Sequence, residues 1–246
     1  MCGFIYNVND FPLLEPLLDI AGYDEAEIRD IIQHQYLRPT DTVINLIPTR
    51  QGPRLQGATW WLATNADGKP DTSMATFNSK AGKLATSYLH RSKPRSVRSV
   101  VLARGFCEWQ PIYKGGLLYS QLPFSAGSNK LPTPERKQQY LIEQPNQPLM
   151  LLASVSKLRI DQNGQPRVNT SIITLPPHRQ FVDIHHKSFP LILAQHEIQQ
   201  WLDPSLPMNQ FESLFQQTEF RMNFSATPVD ADMHSIGPVI ELNCVK

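Results

Sequence analysis

The chain has 246 residues, 41% apolar and 18% charged, and its 23 basic and 22 acidic side chains leave a net charge of +1. That length buries a substantial core, and near-neutrality excludes both a uniformly basic nucleic-acid binder and an acidic disordered chain. No apolar run reaches the roughly 18 residues that span a bilayer, and no basic segment followed by an apolar one opens the sequence, so neither a membrane span nor a secretory signal is expected. The three cysteines, Cys2, Cys107 and Cys244, form no CxxC pair. An odd count without that spacing argues against a disulfide framework or a Cys-rich zinc site and fits a reducing cytoplasm.

In chain order, Phe11 to Ile20 reads as a helix with Leu13, Leu14, Leu17 and Leu18 on its apolar side. Asp24 to Gln33 reads as a second, with Asp24 as N-cap and Ile28, Ile31 and Ile32 on one face. Strands are expected at Val43–Ile47, Ala58–Ala63, Ser99–Ala103, Tyr140–Glu143, Leu149–Val155, Thr170–Leu175 and Leu191–Leu193 from their β-branched and apolar content. Asn163-Gly164 reads as a hairpin turn. Lys114 to Arg136 carries Gly, Ser and Pro and reads as a loop insertion. Gln195–Leu202 and Gln210–Gln217 are helix-like. The simplest reading is one α+β domain over residues 1–246, a strand-rich mixed or antiparallel, barrel-like sheet core with short peripheral helices.

Charge is uneven along this chain. Lys80, Lys83, Arg91, Lys93, Arg95, Arg98 and Arg104 fall in one stretch that holds no Asp or Glu. The stretch is either a solvated basic face or a phosphate-contacting strip, with Trp60, Trp61 and Trp109 as base-stacking platforms.

The N-terminus reads Met1-Cys2-Gly3. Cys is small enough for the initiator Met to be removed, which would leave a residue with two nucleophiles. Its α-amine has a reference pKa near 7.7–8.0 and its thiol one near 8.5. Gly3 lets the backbone approach a substrate closely. Downstream, Glu108 sits between Cys107 and Trp109 at the end of an apolar strand, where burial would raise its pKa and suit it to acid–base work. The other reading is an exposed Glu on a polar strand face. Paired histidines, His185-His186, raise the question of a metal, but neighbours on a strand face opposite ways, so none is expected.

Several of these segments together resemble the SRAP family of abasic-site-processing proteins. They are Cys2-Gly3, Asn45 to Pro48, Trp60-Trp61, Phe77-Asn78-Ser79-Lys80, Gly105-Phe106-Cys107-Glu108-Trp109, Ile184-His185-His186-Lys187 before Pro190, and Thr227-Pro228-Val229. Phe4 stands where the family carries Arg, and Gly82 where it carries Glu. The resemblance implies that Cys2 links covalently, as a thiazolidine, to the ring-opened abasic sugar in single-stranded DNA, with self-processing of the N-terminus and no cofactor. It implies Cys2, Asn78, Glu108 and His185 as catalytic residues. Lys80, Arg91, Arg95, Arg98, Lys187, Trp60 and Trp61 would contact DNA, with Gly3, Thr174 and His186 lining the pocket. Counting forward from Val182 makes His185 the family's histidine, and counting back from Pro190 makes it His186. His185 is preferred because Ile-His-His-Lys matches as a unit. A monomer is expected. The competing readings are an N-terminal-nucleophile glutamine amidotransferase or hydrolase and a non-catalytic single-strand-binding module.

Overall fold

The structure, a computed structural model, describes residues 3–65, 67–123 and 131–244. Its strands are β1 (Ile5–Tyr6), β2 (Gly22–Tyr23), β3 (Tyr36–Leu37), β4 (Thr42–Thr49), β5 (Gly52–Thr59), β6 (Asn78–Lys80), β7 (Val97–Ala103), β8 (Gly105–Ile112), β9 (Arg136–Glu143), β10 (Met150–Ile160), β11 (Pro166–Leu175), β12 (Phe189–Pro190), β13 (Ile192–Leu193), β14 (Phe224–Val229) and β15 (Ile240–Leu242). The helices are short: α1 (Glu15–Leu18), α2 (Glu25–Ile31), α3 (Tyr88–Arg91), α4 (Ile198–Leu202) and α5 (Glu212–Phe215).

Two sheets form. One runs β15-β14-β9-β8-β1-β3, and the other runs β12-β11-β10-β7-β4-β5-β2 with β13 on β10 and β6 on β11. A bridge between Asn169 and Thr59 joins β11 back to β5, so β5, β4, β7, β10 and β11 close on themselves. This is the strand-rich, barrel-like α+β architecture expected from the sequence.

Side-chain alternation sorts the core into two layers. Along β4, Val43 and Ile47 face inward against Phe106, Tyr140, Ile142 and Phe224 of the other sheet, while Ile44 and Leu46 face outward. The outward layer packs under the helices, on Leu17 of α1, Ile28 and Ile31 of α2 and Trp201 of α4. Asp24 caps α2 as expected, accepting from the backbone N–H groups of Ala26 and Glu27. The barrel interior also holds a fully buried polar cluster. Ser99 lies 2.8 Å from Ser154 and 2.7 Å from Ser156, and Ser156 donates to Asn45 at 3.2 Å. Each hydroxyl finds a partner, as burial demands.

Three sequence expectations are corrected here. Trp60 and Trp61 are not stacking platforms. Trp60 is fully buried and its indole N–H donates to Phe77 O at 2.8 Å, while Trp61 is buried and donates to Asp71 O at 2.9 Å. A base cannot stack on a ring whose faces are covered. The strand expected at Ala58–Ala63 ends at Thr59: opposite Trp60, the Asp41 N–H turns away to donate to Arg38 O, and the Thr40 N–H takes the Trp60 carbonyl instead. Arg98 is not a DNA contact either. It is buried, its Nε donates to Trp201 O at 2.6 Å and its Nη2 to Asp203 O, and the guanidinium lies 4.6 Å from the Phe211 ring centroid. Arg98 therefore ties β7 to the end of α4.

Replacing Arg98 by Met is expected to lower unfolding stability by about 2–4 kcal/mol, since hydrogen bonds from charged groups are worth roughly 1.5–3 kcal/mol each. Denaturant titration reads this directly. A loss under 1 kcal/mol would mean that the anchor carries little.

Candidate active site

Glu108 owes its position to strand alternation. Phe106 and Glu108 are two apart on β8 and share a face. Phe106 is wholly inside the inner core, so Glu108 emerges at that core's rim, 2% exposed. Gly105 lets β8 approach β9 this closely, since a Cβ there would run into the Ile142 carbonyl.

The histidines arrive on a turn, which corrects the strand assignment made from sequence. Residues 178–188 include no strand. The turn is closed by Phe181 N–H to His178 O at 2.9 Å and His185 N–H to Phe181 O at 2.8 Å. It is fixed to β8 by aromatic packing, with Phe181 lying 6.4 Å from Phe106 and 4.9 Å from Phe189, and Phe189 lying 5.5 Å from Phe106. His185 Nδ1 then lies 3.0 Å from Glu108 Oε2. His186 goes elsewhere: its ring stacks on Tyr119, 4.4 Å away and 4° from parallel. The two histidine rings are 6.2 Å apart and near parallel, so the opposite-face argument does not hold on this turn.

β6 adds a third edge. It pairs parallel with β11, setting Asn78 beside Ile172 and Lys80 beside Thr174. Ile172 belongs to the inner core with Phe106, so Asn78 and Thr174 rim the same cluster as Glu108. Thr174 is buried, whereas Lys80 and Lys187 are exposed. Arg91, Lys93 and Arg95 are also exposed. Cys2 lies outside the described residues. Gly3 and Phe4 follow it, and Phe4 O accepts from Cys107 N at 2.9 Å, so the chain's first described residues lie against β8 next to Glu108.

Burial sets the electrostatics. Desolvation pushes the Glu108 carboxyl from near 4.5 up to about 7. It also holds the His185 imidazole down at about 3. Near neutral pH, the pair is a neutral imidazole beside a carboxyl that is close to half protonated, a group matched to giving and taking protons at that pH.

Several nearby residues went unmarked by sequence. Arg38 lies over the Phe4 ring at 5.2 Å and brings a cation to the place where the family carries Arg. Asp183 accepts from Ser120 N at 2.7 Å and Ser120 Oγ at 2.8 Å, holding the β8–β9 loop and its Tyr119 against the histidine turn. None of these has a local motif, because each depends on a contact between distant segments.

The model of the family described as SOS response associated peptidase (SRAP) matches residues 1–236. The chain belongs to the SRAP family. Membership supports a DNA-damage-associated, abasic-site-processing role and DNA binding. Solved structures share the fold at low identity. A protein from Bacteroides thetaiotaomicron is 18% identical with a TM-score of 0.70, over 94% of this chain and 93% of that one. A protein from Bordetella bronchiseptica is 12% identical with a TM-score of 0.62 over the full length of both. A phage-related protein from the same organism is 18% identical with a TM-score of 0.59, over 93% and 94%. No curated protein matches the sequence. Among the described residues, no helix is long and apolar enough to cross a membrane.

The raised Glu108 pKa has a signed consequence within this SRAP fold. The folded state holds the Glu108 proton more tightly than the unfolded chain does, so the residue's contribution to stability falls as pH rises from about 4.5 to about 7 and is level above that. His185 works oppositely between about 3 and 6.5 and masks the trend in wild-type protein alone. Comparison with Glu108→Gln isolates it. The variant's stability relative to wild type is expected to climb across pH 4.5–7 and then plateau, as read by denaturant titration at stepped pH. A pH-independent difference would mean that Glu108 keeps an ordinary pKa.

Proposed function

We propose that this protein captures abasic sites in single-stranded DNA by covalent linkage through Cys2, once Met1 is removed. The observation that carries the reading is the buried Glu108–His185 pair at 3.0 Å, beside the strand against which Gly3 and Phe4 lie. An abasic sugar opens to an aldehyde. The Cys2 amine adds to the aldehyde carbon, and loss of water gives an imine. The Cys2 thiolate then adds to the same carbon, the imine nitrogen takes up a proton, and a five-membered thiazolidine closes. One water leaves overall.

Neutral Glu108 protonates the departing hydroxyl, and its carboxylate recovers a proton from the attacking amine. His185 orients Glu108 and assists sugar ring opening and later reversal. Asn78 holds Cys2 or a sugar hydroxyl, and Thr174 lines the same rim. Lys80, Lys187, Arg91 and Arg95 contact phosphates, while His186, held by Tyr119, borders the entrance. The peptidase activity in the family's description is read as self-processing that exposes Cys2.

Incubation with an abasic single-stranded oligonucleotide followed by a denaturing gel tests the reading, with intact mass recording loss of Met1. Wild type is expected to give a heat-stable adduct and Cys2→Ser none, because the hydroxyl is a far poorer nucleophile than a thiolate. An equal adduct from Cys2→Ser, or retention of Met1 in adduct-forming protein, would sink the mechanism. Glutamine turnover, or a salt-sensitive shift without an adduct, would point to the competing readings.

The two histidines separate in an exchange assay, in which excess unlabelled abasic DNA chases a preformed adduct. His185→Ala is expected to slow exchange on the order of 10²-fold or more, the usual contribution of an acid–base group. His186→Ala is expected to weaken binding with exchange little changed. The reverse pattern would transfer the role to His186.

A further inference from the structure

A second basic site lies away from Glu108, on the outer face of the barrel. In the β10–β11 hairpin, Arg159 stands directly opposite Arg167, and Lys157 stands opposite Asn169. Cross-strand partners point to the same side, and Lys157 and Arg159 are two apart, so three cations share one face. Like charges opposite one another, with Cβ atoms about 5 Å apart, destabilise a hairpin. Little nearby offsets this. Asp161 answers only one of the two arginines: its Oδ2 accepts from Arg167 Nε at 3.0 Å while its Oδ1 accepts the backbone N–H groups of Asn163 and Gln165, which leaves Arg159 uncompensated. Lys157 Nζ is buried and donates to Ser92 O at 3.2 Å and Ser92 Oγ at 3.0 Å, with no carboxylate among these partners. Burial, and secondly the Arg159 charge, hold its amine below the usual lysine range.

Arg159 is the informative member. Among the described residues it has no ion pair, and its Nε is a buried donor with no hydrogen-bond acceptor. An orphaned, charged donor of this kind calls for a missing partner. It borders a cleft of about 380 Å³, whose other walls include Arg167, Asn65, Asn169 and Pro94. Pro94 is flanked by exposed Lys93 and Arg95, so the cleft opens beside the basic 91–95 segment. Its walls therefore offer two guanidinium groups and the Asn65 amide, together with the Asp161 carboxylate that Arg167 holds and the Asn169 amide that donates to Trp61 O.

We propose that the cleft between Arg159, Arg167 and Pro94 is a phosphate-binding site. Guanidinium forks match phosphate oxygens in pairs. A bound phosphate would give the Arg159 guanidinium an anionic partner and relieve the Arg159–Arg167 repulsion together. The ligand is a phosphate group, carried either by a nucleic-acid backbone or by free phosphate or a nucleotide. The backbone source rests on the single-strand reading above; the site itself does not.

The test uses wild type, Arg159→Gln and the Arg159→Gln/Arg167→Gln double variant. Thermal unfolding is followed in inorganic phosphate and in potassium chloride of matched ionic strength. Binding of an undamaged single-stranded oligonucleotide is measured over a range of salt. Without phosphate, both variants are expected to melt at or above the wild-type temperature, because repulsion is removed. Phosphate is expected to raise the wild-type midpoint beyond the chloride control and to leave the double variant unmoved. If the cleft takes the strand's backbone, the slope of log affinity against log salt is expected to lose about 0.7 per contact removed. A phosphate effect with an unchanged slope assigns the site to free phosphate or a nucleotide. Identical phosphate and chloride curves for wild type, together with unchanged slopes in both variants, would overturn the proposal. The abasic-adduct assay runs in parallel. Failure of wild type to form the adduct would defeat the Cys2 mechanism while leaving the phosphate result standing.

Discussion

The edge-to-face packing of Phe106, Phe181 and Phe189 is the contact on which the candidate active site depends. Phe106 belongs to a strand of one sheet, Phe189 to a two-residue strand at the margin of the other, and Phe181 to the turn between. Among the described residues no hydrogen-bond ladder links β8 to the histidine turn, so this aromatic junction sets their spacing. Glu108 lies two residues beyond one ring and His185 four beyond another, so the junction fixes the reach between carboxyl and imidazole. Edge-to-face aromatic pairs add roughly 0.5–1.5 kcal/mol each beyond their buried area. They also leave few alternative rotamers, which a pair separated by 3.0 Å requires.

The same junction supplies the dielectric. Because it excludes water from one side of Glu108, ionising the carboxyl costs more than it would at the surface, and the proton stays on to about neutral pH. His185 is desolvated by the same wall and remains neutral. A charged imidazolium would hold Glu108 permanently ionised and make it a poor acid, whereas a neutral one can accept or return a proton without creating a buried charge. The apolar core therefore acts on reactivity as well as stability. Lys80 and Lys187 remain exposed at the rim, where their charges are screened and available to phosphate.

Much of this was legible in the sequence because it rested on local pattern. The apolar runs became β4, β7, β10 and β11, and Asp24 capped α2. Sequence leaves Glu108 with two readings, and its burial is as the desolvated-carboxyl one expects, although it lies within β8 and not at a strand's end. What failed depended on distant partners. Arg98 sits in a run of exposed cations, and only the packing of α4 on β7 removes it from solvent. Trp60 and Trp61 follow a strand by one and two residues, and nothing local indicates that Phe77 and Asp71 cover them. From sequence, the His185-His186 pair reads as lying on a strand, where neighbours face opposite ways. The turn is dictated by Phe181 seeking the core. Cys2 lies outside the described residues, so its part in the chemistry is carried by sequence and by the position of Gly3.

β11 shows how one strand can serve both basic regions without confusing them. Its even-numbered side chains, Val168, Thr170 and Ile172, face the barrel interior and lead to Thr174 at the active-site rim. Its odd-numbered ones, Arg167 and Asn169, face outward to the cleft. From Arg167 to Thr174 is seven residues, about 23 Å at the usual strand rise. That exceeds a Debye length at physiological salt, about 8 Å, so cations at the two ends barely feel one another through solvent. The protein can thus hold a tuned, nearly neutral acid–base pair at one end of the strand and concentrated positive charge at the other. Were the arginines beside Glu108, their field would favour its ionised form and undo the elevation that burial provides. Separation along β11, with alternation to opposite faces, keeps the arginine charge away from Glu108 in a chain whose net charge is only +1.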